Sequence, residues 1–332
     1  MDSLFIIVIL IVIFALIFDF INGFHDTANS IATSVSTKAL TPRKAIILAS
    51  VMNFVGALTF TGVAQTITSG IADPFELNNG TTVILAALFA AIAWNLITWY
   101  FGIPSSSSHA LIGAITGAVI ASAGFTAIQY TGFLSILKAL FISPVLAFVV
   151  GFIMYAVIKV VFKNSNLAKT NKRFRMVQVL TAALQSYSHG TNDAQKSMGI
   201  ITMALIVGGM HQTTDVPFWV QFSCALAMAL GTSVGGWRII KTVGGKIMKI
   251  RPVNGVAADL TGAAIIFGAT LIHLPVSTTH VISSSILGVG SSHRVKSVNW
   301  GVAKRMLFTW VITLPITALL SGVVFYILNL FM

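Results

Sequence analysis

"FINGFHDTANSIATSVSTKAL" (residues 20–40) starts as the end of a membrane-spanning run and then fills with groups that hydrocarbon rejects. About twenty apolar residues lead into it, and Asn22, His25, Asp26 and Asn29 then fall within eight positions. A charged side chain at the bilayer centre costs roughly 2.5–3.5 kcal/mol on insertion scales, so an ionisable group there points to function. A second stretch, "YSHGTNDAQKSMG" (187–199), repeats the pattern with Asn192, Asp193 and Lys196.

The surrounding chain settles the class. Its 332 residues are 56% hydrophobic and only 8% charged, where soluble domains carry roughly 25% charge. Several separate apolar runs exceed the ~18 residues of a transmembrane helix. The fold class is therefore an all-α polytopic membrane protein, with the lipid bilayer as its main surroundings and no polar stretch long enough for an appended enzyme. Cys224 is the one cysteine, which excludes intrachain disulfides and cysteine-based zinc sites. "MDSLFIIVILIVIFALIFDF" (1–20) has no basic n-region and no small-residue cleavage site, so it reads as a retained first helix. In such a chain the net charge of +12 marks cytoplasmic loops; no nucleic-acid partner is expected.

Eighteen of the 20 basic residues fall in four clusters, Lys38–Lys44, Lys159–Arg175, Arg238–Arg251 and Arg294–Arg305. Placing every cluster in the cytoplasm requires an even number of crossings between each pair, and the apolar segments supply it if 176–208 crosses once. About ten crossings result, with both termini outside. The outside stretches 67–80 and 208–219 contain no Lys or Arg, as the positive-inside rule requires. A helix over all of 176–208 would be about 50 Å long against a hydrocarbon core of ~30 Å. The expectation is therefore a broken or re-entrant helix with the polar motif at the break, and the same for residues 1–36.

"GFHDTANSI" (23–31) aligns with "GTNDAQKSM" (190–198), matching Asp26 to Asp193. "IPSSSSHALIG" (103–113) aligns with "LPVSTTHVISS" (274–284), matching Pro104 to Pro275 and His109 to His280. The aspartate-to-proline spacing is 78 residues in one half and 82 in the other. The domain reading is a first membrane repeat over 1–162, a basic cytoplasmic linker over 163–175 and a second repeat over 176–332. An odd number of crossings in each repeat makes the two inverted. Inverted-topology repeats with interrupted helices meeting near the midplane are the architecture of many secondary transporters.

Each proline breaks a helix and is followed by hydroxyl residues at the cap of the next one, where Ser and Thr satisfy free backbone N–H groups. A helix N-terminus is also an anion site. Ser106, Ser107 and Ser108 facing Ser277, Thr278 and Thr279 would make a ring of neutral donors for a releasable anion. The plainer alternative is caps and small residues packed between helices, with Gly113 and Gly117 in a GxxxG arrangement. Asp26 and Asp193, with Asn22, Asn29 and Asn192, offer the oxygen ligands that hard cations take, or they carry protons. The halves differ where Asn29 aligns with Lys196 and His25 with Asn192. A fixed ammonium at Lys196 occupies the place of a mobile cation, and His25 sets beside Asp26 the residue type that can titrate in the physiological range. Both favour proton over sodium coupling.

With "GFHDTAN", "GTNDAQK", "PSSSSH", "PVSTTH" and "WVITLP", the whole chain resembles the PiT family of inorganic phosphate transporters, whose paired signature has the form G-x-N-D-x-x-N. Within it the "NGFHDTAN" and "HGTNDAQK" styles resemble the bacterial low-affinity branch, which implies a location in the bacterial inner membrane. The resemblance implies inorganic phosphate as the partner at the Ser/Thr ends and a co-transported proton or sodium at the aspartate motifs. It also implies phosphate carried with a divalent metal ion near Asp26 and Asp193. No resident cofactor is expected, and a homodimer is the oligomer allowed for.

A dianion entering alone against 100 mV meets about 4.6 kcal/mol, so two positive charges must travel with it merely to cancel the field. The rival functions are a sodium-coupled phosphate or sulfate symporter of the same fold, a divalent-metal transporter, a passive anion channel and an intramembrane serine hydrolase. The hydrolase needs one activated nucleophile, and the hydroxyls here come as two symmetric clusters; no HExxH-like pairing supports the metal transporter.

Overall fold

The computed structural model describes residues 3–77, 79–165 and 167–331. The first half of the chain forms α1 (Ser3–Ser36), α2 (Pro42–Ala57), α3 (Gly62–Gly70), α4 (Gly80–Phe101), α5 (Ser107–Ala123) and α6 (Tyr130–Val161). The second forms α7 (Leu167–Val207), α8 (Phe218–Val234), α9 (Trp237–Lys241), α10 (Pro252–Leu271), α11 (Thr278–Arg294) and α12 (Trp300–Leu328). The two series match in order. Each has one long helix, a bent pair (69° between α2 and α3, 64° between α8 and α9), a span, a short helix after the proline and a final long helix. Even the proline inside the last helix recurs: Pro144 in α6 and Pro315 in α12 stand at the same offset as Pro104 and Pro275.

Among the described residues, α1, α4, α6, α10 and α12 are long and apolar enough to cross a membrane, and the two bent pairs raise the count to seven. The ten crossings expected from sequence are thus not all met on length and composition. The other three segments are α5 and α11, at 17 residues each, and α7, which carries a polar motif and a basic first stretch.

One expectation is corrected. Neither polar motif sits at a helix break: α1 runs unbroken for 34 residues and α7 for 41, the latter about 60 Å. Part of that length is the basic stretch, since α7 already begins at Leu167. The rest stays helical because the polar side chains are satisfied sideways, by groups on neighbouring helices, so the backbone need not unwind for them. The breaks lie instead before α5 and α11 and inside the bent pairs.

The halves exchange partners. α5 packs mainly against α12 and α11 against α6, while α1 packs on α8 and α7 on α2. The motif glycines make the last two contacts possible. A Cβ on Gly23 would stand 2.4 Å from the Met228 carbonyl oxygen, and one on Gly190 would stand 2.3 Å from that of Asn53. Backbone cannot swing aside as a side chain can, and overpacking of this kind costs about 1–3 kcal/mol or more. Gly190→Ala is therefore expected to lower the thermal unfolding midpoint of the purified protein, whereas Gly268→Ala, with nothing within 4 Å of the new methyl, leaves it unchanged.

All four basic clusters converge on one end of the bundle. There Thr37 donates to Gln178 (2.6 Å), Gly244 abuts Ser36, Phe162 meets Phe174 and the Asn299 amide reaches the Ile247 carbonyl. At the other end Gln65 donates to Asp215 (2.9 Å), the Gln129 amide reaches the Ile71 carbonyl, Val8 abuts Gly208, and Asn79 lies 3.5 Å from Asn329. The bundle is thus electrostatically polar along its axis.

Candidate functional site

Pro104 and Pro275 lie in short non-helical segments, 103–106 and 274–277, whose last residues, Ser106 and Ser277, are N-caps. Each serine hydroxyl accepts the backbone N–H three residues on, from His109 (3.1 Å) and His280 (3.2 Å). These two serines are committed to their helix ends, as the capping pattern of the sequence implied. Behind them the rings of His109, His280 and Trp310 pack together, with centroids 4.4 and 3.9 Å apart.

The next hydroxyl in each motif turns to its own half's aspartate. Ser107 donates to Asp26 Oδ2 at 2.6 Å, and Thr278 donates to Asp193 Oδ2 at 3.1 Å. The third hydroxyl breaks the symmetry. Thr279 crosses to the first half, donating to Asp26 Oδ1 (3.0 Å) and accepting from Asn29 Nδ2 (2.8 Å). Ser108 instead donates to the Val276 carbonyl (2.9 Å). Asn22 crosses the other way, its Nδ2 3.5 Å from Asp193 Oδ2. The residues proposed for anion and for cation thus form one buried cluster between the halves.

Each carboxylate also has a nitrogen partner. His25 Nδ1 lies 2.7 Å from Asp26 Oδ1, and its Nε2 lies 3.1 Å from Thr98 Oγ1. Lys196 Nζ lies 2.5 Å from Asp193 Oδ1, and it is the one lysine or arginine buried among the described residues. His189 Nε2 stands 3.3 Å from the other oxygen of Asp193. Asn192, the counterpart of His25, reaches Thr270 (3.1 Å) as His25 reaches Thr98. It also accepts from the Val276 amide (3.1 Å) and donates to the Leu274 carbonyl (3.2 Å), pinning the extended segment before α11.

Sequence reasoning passed over several members of the site. His189, Thr98 and Thr270 carry no signal beyond proximity in space. Asp19 and Asp259 do: both are acids inside apolar runs, and the rule that singled out Asp26 applies to them equally. Asp259, fully enclosed on α10, accepts from Thr33 (2.6 Å) and Thr181 (3.1 Å). Asp19 has no hydrogen bond.

A family model described as "Phosphate transporter family" matches residues 22–321. The chain belongs to that family. It is 75% identical over 294 residues to the "Probable low-affinity inorganic phosphate transporter" of Bacillus subtilis, covering 88% of each chain. To the protein of the same description from Rhizobium meliloti it is 44% identical, again over 88% of each. A solved structure described as "The sodium-dependent phosphate transporter" superposes with a TM-score of 0.91 at 27% identity, over 98% of this chain and 100% of that one. The family places the protein among multi-pass membrane phosphate transporters and outside the enzymes, which removes the hydrolase reading.

Proposed function

We propose that the transporter is a secondary active symporter that takes up inorganic phosphate with protons, as a neutral divalent-metal–phosphate complex, by alternating access between its two halves. The observation that carries this reading is the direction of the hydroxyl hydrogen bonds. Ser107 and Thr279 donate to Asp26, and Thr278 donates to Asp193. A proton or cation arriving at a carboxylate neutralises the acceptor and frees those hydroxyls to donate to phosphate. Anion binding then depends on cation binding, which is what symport requires.

The partners of the carboxylates favour the proton. Lys196 already sits where a mobile cation would neutralise Asp193, and His25, an imidazole able to take up or hand on a proton, sits on Asp26. Ser106 and Ser277 act as caps in this reading, and Asn192 as a brace. The metal ion travels as cargo near Asp26. The basic end of the bundle is cytoplasmic, so that Val8 and Asn329 lie on the outside. A sodium-coupled symporter is the second reading, supported by the similarity to a sodium-dependent phosphate transporter of known structure.

The test is labelled-phosphate uptake into proteoliposomes under a proton gradient or a sodium gradient, with and without magnesium, and with sulfate as competitor. Proton-driven, magnesium-dependent accumulation without sodium is expected. Strict sodium dependence replaces the coupling ion, and sulfate uptake without phosphate uptake replaces the substrate. Ser107→Ala is expected to raise the phosphate half-saturation about tenfold, the worth of one hydrogen bond. Ser106→Ala instead lowers stability by about 1 kcal/mol.

A further inference from the structure

Asp19 lies seven residues before Asp26 on α1, two turns nearer the end of the bundle that carries no basic cluster. It is fully buried, and neither carboxylate oxygen has a hydrogen-bond partner. The Ser197 hydroxyl of α7 is the one hydrogen-bonding group that faces it, equally buried and outside ordinary hydrogen-bond geometry. One turn on, Asn22 directs its Nδ2 at Asp193 and leaves its Oδ1 without a partner. Four oxygen atoms on two packed helices are therefore enclosed without a hydrogen bond of ordinary geometry.

The charges around Asp19 do not neutralise it. The groups that act on Asp19 electrostatically are Asp193 and Lys196 on α7, with the Cys224 thiol on α8. The Lys196 ammonium is bound to Asp193, and His25 is bound to Asp26 further along α1. An ionised, uncompensated carboxylate in such a place is strongly disfavoured. A set made of one carboxylate, one amide oxygen and one hydroxyl suits a hard cation, and a single acid suits a single charge.

We propose that Asp19 holds a second coupling cation, a monovalent ion that is either a proton or sodium, with Ser197 Oγ and Asn22 Oδ1 as its neutral ligands. The assignment rests on the symport reading above. It supplies a positive charge beyond the one taken at Asp26, which adds to the inward drive on the neutral metal–phosphate complex, and in the proposed topology it does so on the outer side of Asp26, where an entering cation arrives first. In this assignment Asn22 links the two carboxylates, its nitrogen facing Asp193 and its unpartnered oxygen, one turn from Asp19, left for the ion.

The experiment uses the purified full chain. Binding is read without phosphate, as the infrared band of a protonated carboxyl and as equilibrium binding of labelled sodium. Transport is read in proteoliposomes as the phosphate accumulation ratio at an imposed 100 mV and as phosphate–phosphate exchange. Asp19→Asn is expected to remove either the carboxyl band or one bound sodium, which identifies the ion. The same variant is expected to keep exchange and to lower the accumulation ratio about fifty-fold, the value of one charge at that potential.

Unchanged binding in Asp19→Asn, together with an unchanged accumulation ratio, overturns the proposal. Binding lost from a protein that transports no phosphate leaves the cation site standing and overturns the symport reading instead. Should Asp19→Asn not fold, Ser197→Ala decides: about a tenfold weaker cation half-saturation with unchanged phosphate half-saturation in exchange supports the site, and no change in either overturns it.

Discussion

Lys196→Met is expected to destabilise the protein by about 3–5 kcal/mol, the usual effect of removing one member of a buried ion pair. The ammonium is fully enclosed and holds Asp193 Oδ1, so its loss leaves a carboxylate balanced only by Thr278, Asn22 and His189. Thermal unfolding in detergent measures the change. The penalty falls on the carboxylate left without its ammonium. Adding Asp193→Asn to Lys196→Met removes the orphaned charge and is expected to recover most of the stability without recovering concentrative uptake. A double variant as unstable as the single one would show that Lys196 acts by packing, not by charge.

Asp26→Asn has the largest expected effect on transport. Asp26 accepts from Ser107 on one oxygen, and from Thr279 and His25 on the other. The amide keeps the shape, presents one acceptor in place of two and takes no cation. The two hydroxyls lose their cation-dependent release, and at least one co-transported charge is lost, worth about 2.3 kcal/mol at 100 mV. The steady-state accumulation ratio is expected to drop about fifty-fold or more. Thermal stability changes little, because Thr279 and His25 keep an oxygen acceptor while the Ser107 hydroxyl turns to accept from the new amide nitrogen. Wild-type accumulation in this variant would remove Asp26 from the coupling scheme.

Much of this arrangement is legible along the chain because its signals are local or periodic. Lys38, Arg173, Arg251 and Arg305 announce their end of the bundle through a charge rule that needs no tertiary contact. Pro104 and Pro275, each followed within two residues by a run of hydroxyl residues, announce helix starts, and Ser106 and Ser277 cap them as expected. The misreading of α1 and α7 has an equally physical source. A run of Asn, His and Asp looks like unwound backbone when its neighbours are unknown. Here Asp26 is satisfied by Ser107 and by Thr279 from the far half of the chain, and no window along the sequence contains both ends of such a bond. Thr98 and Thr270 were hidden for the same reason. Asp19 was not hidden; it lacks a matching aspartate in the second half, and alignment of repeats draws the eye only to what is repeated.

The exchange of packing between the halves bears on how the molecule can be made. A single half, produced alone, exposes the α5 face on which Gly113 and Gly117 lie against the α12 backbone, and it leaves α6 without α11. It therefore has no complete interior. Two separately encoded halves are competent only as a pair inserted in opposite senses, and the placement of their own basic loops dictates those senses. Joining them in one polypeptide fixes their ratio at one to one and keeps them in the same patch of membrane until they interlock.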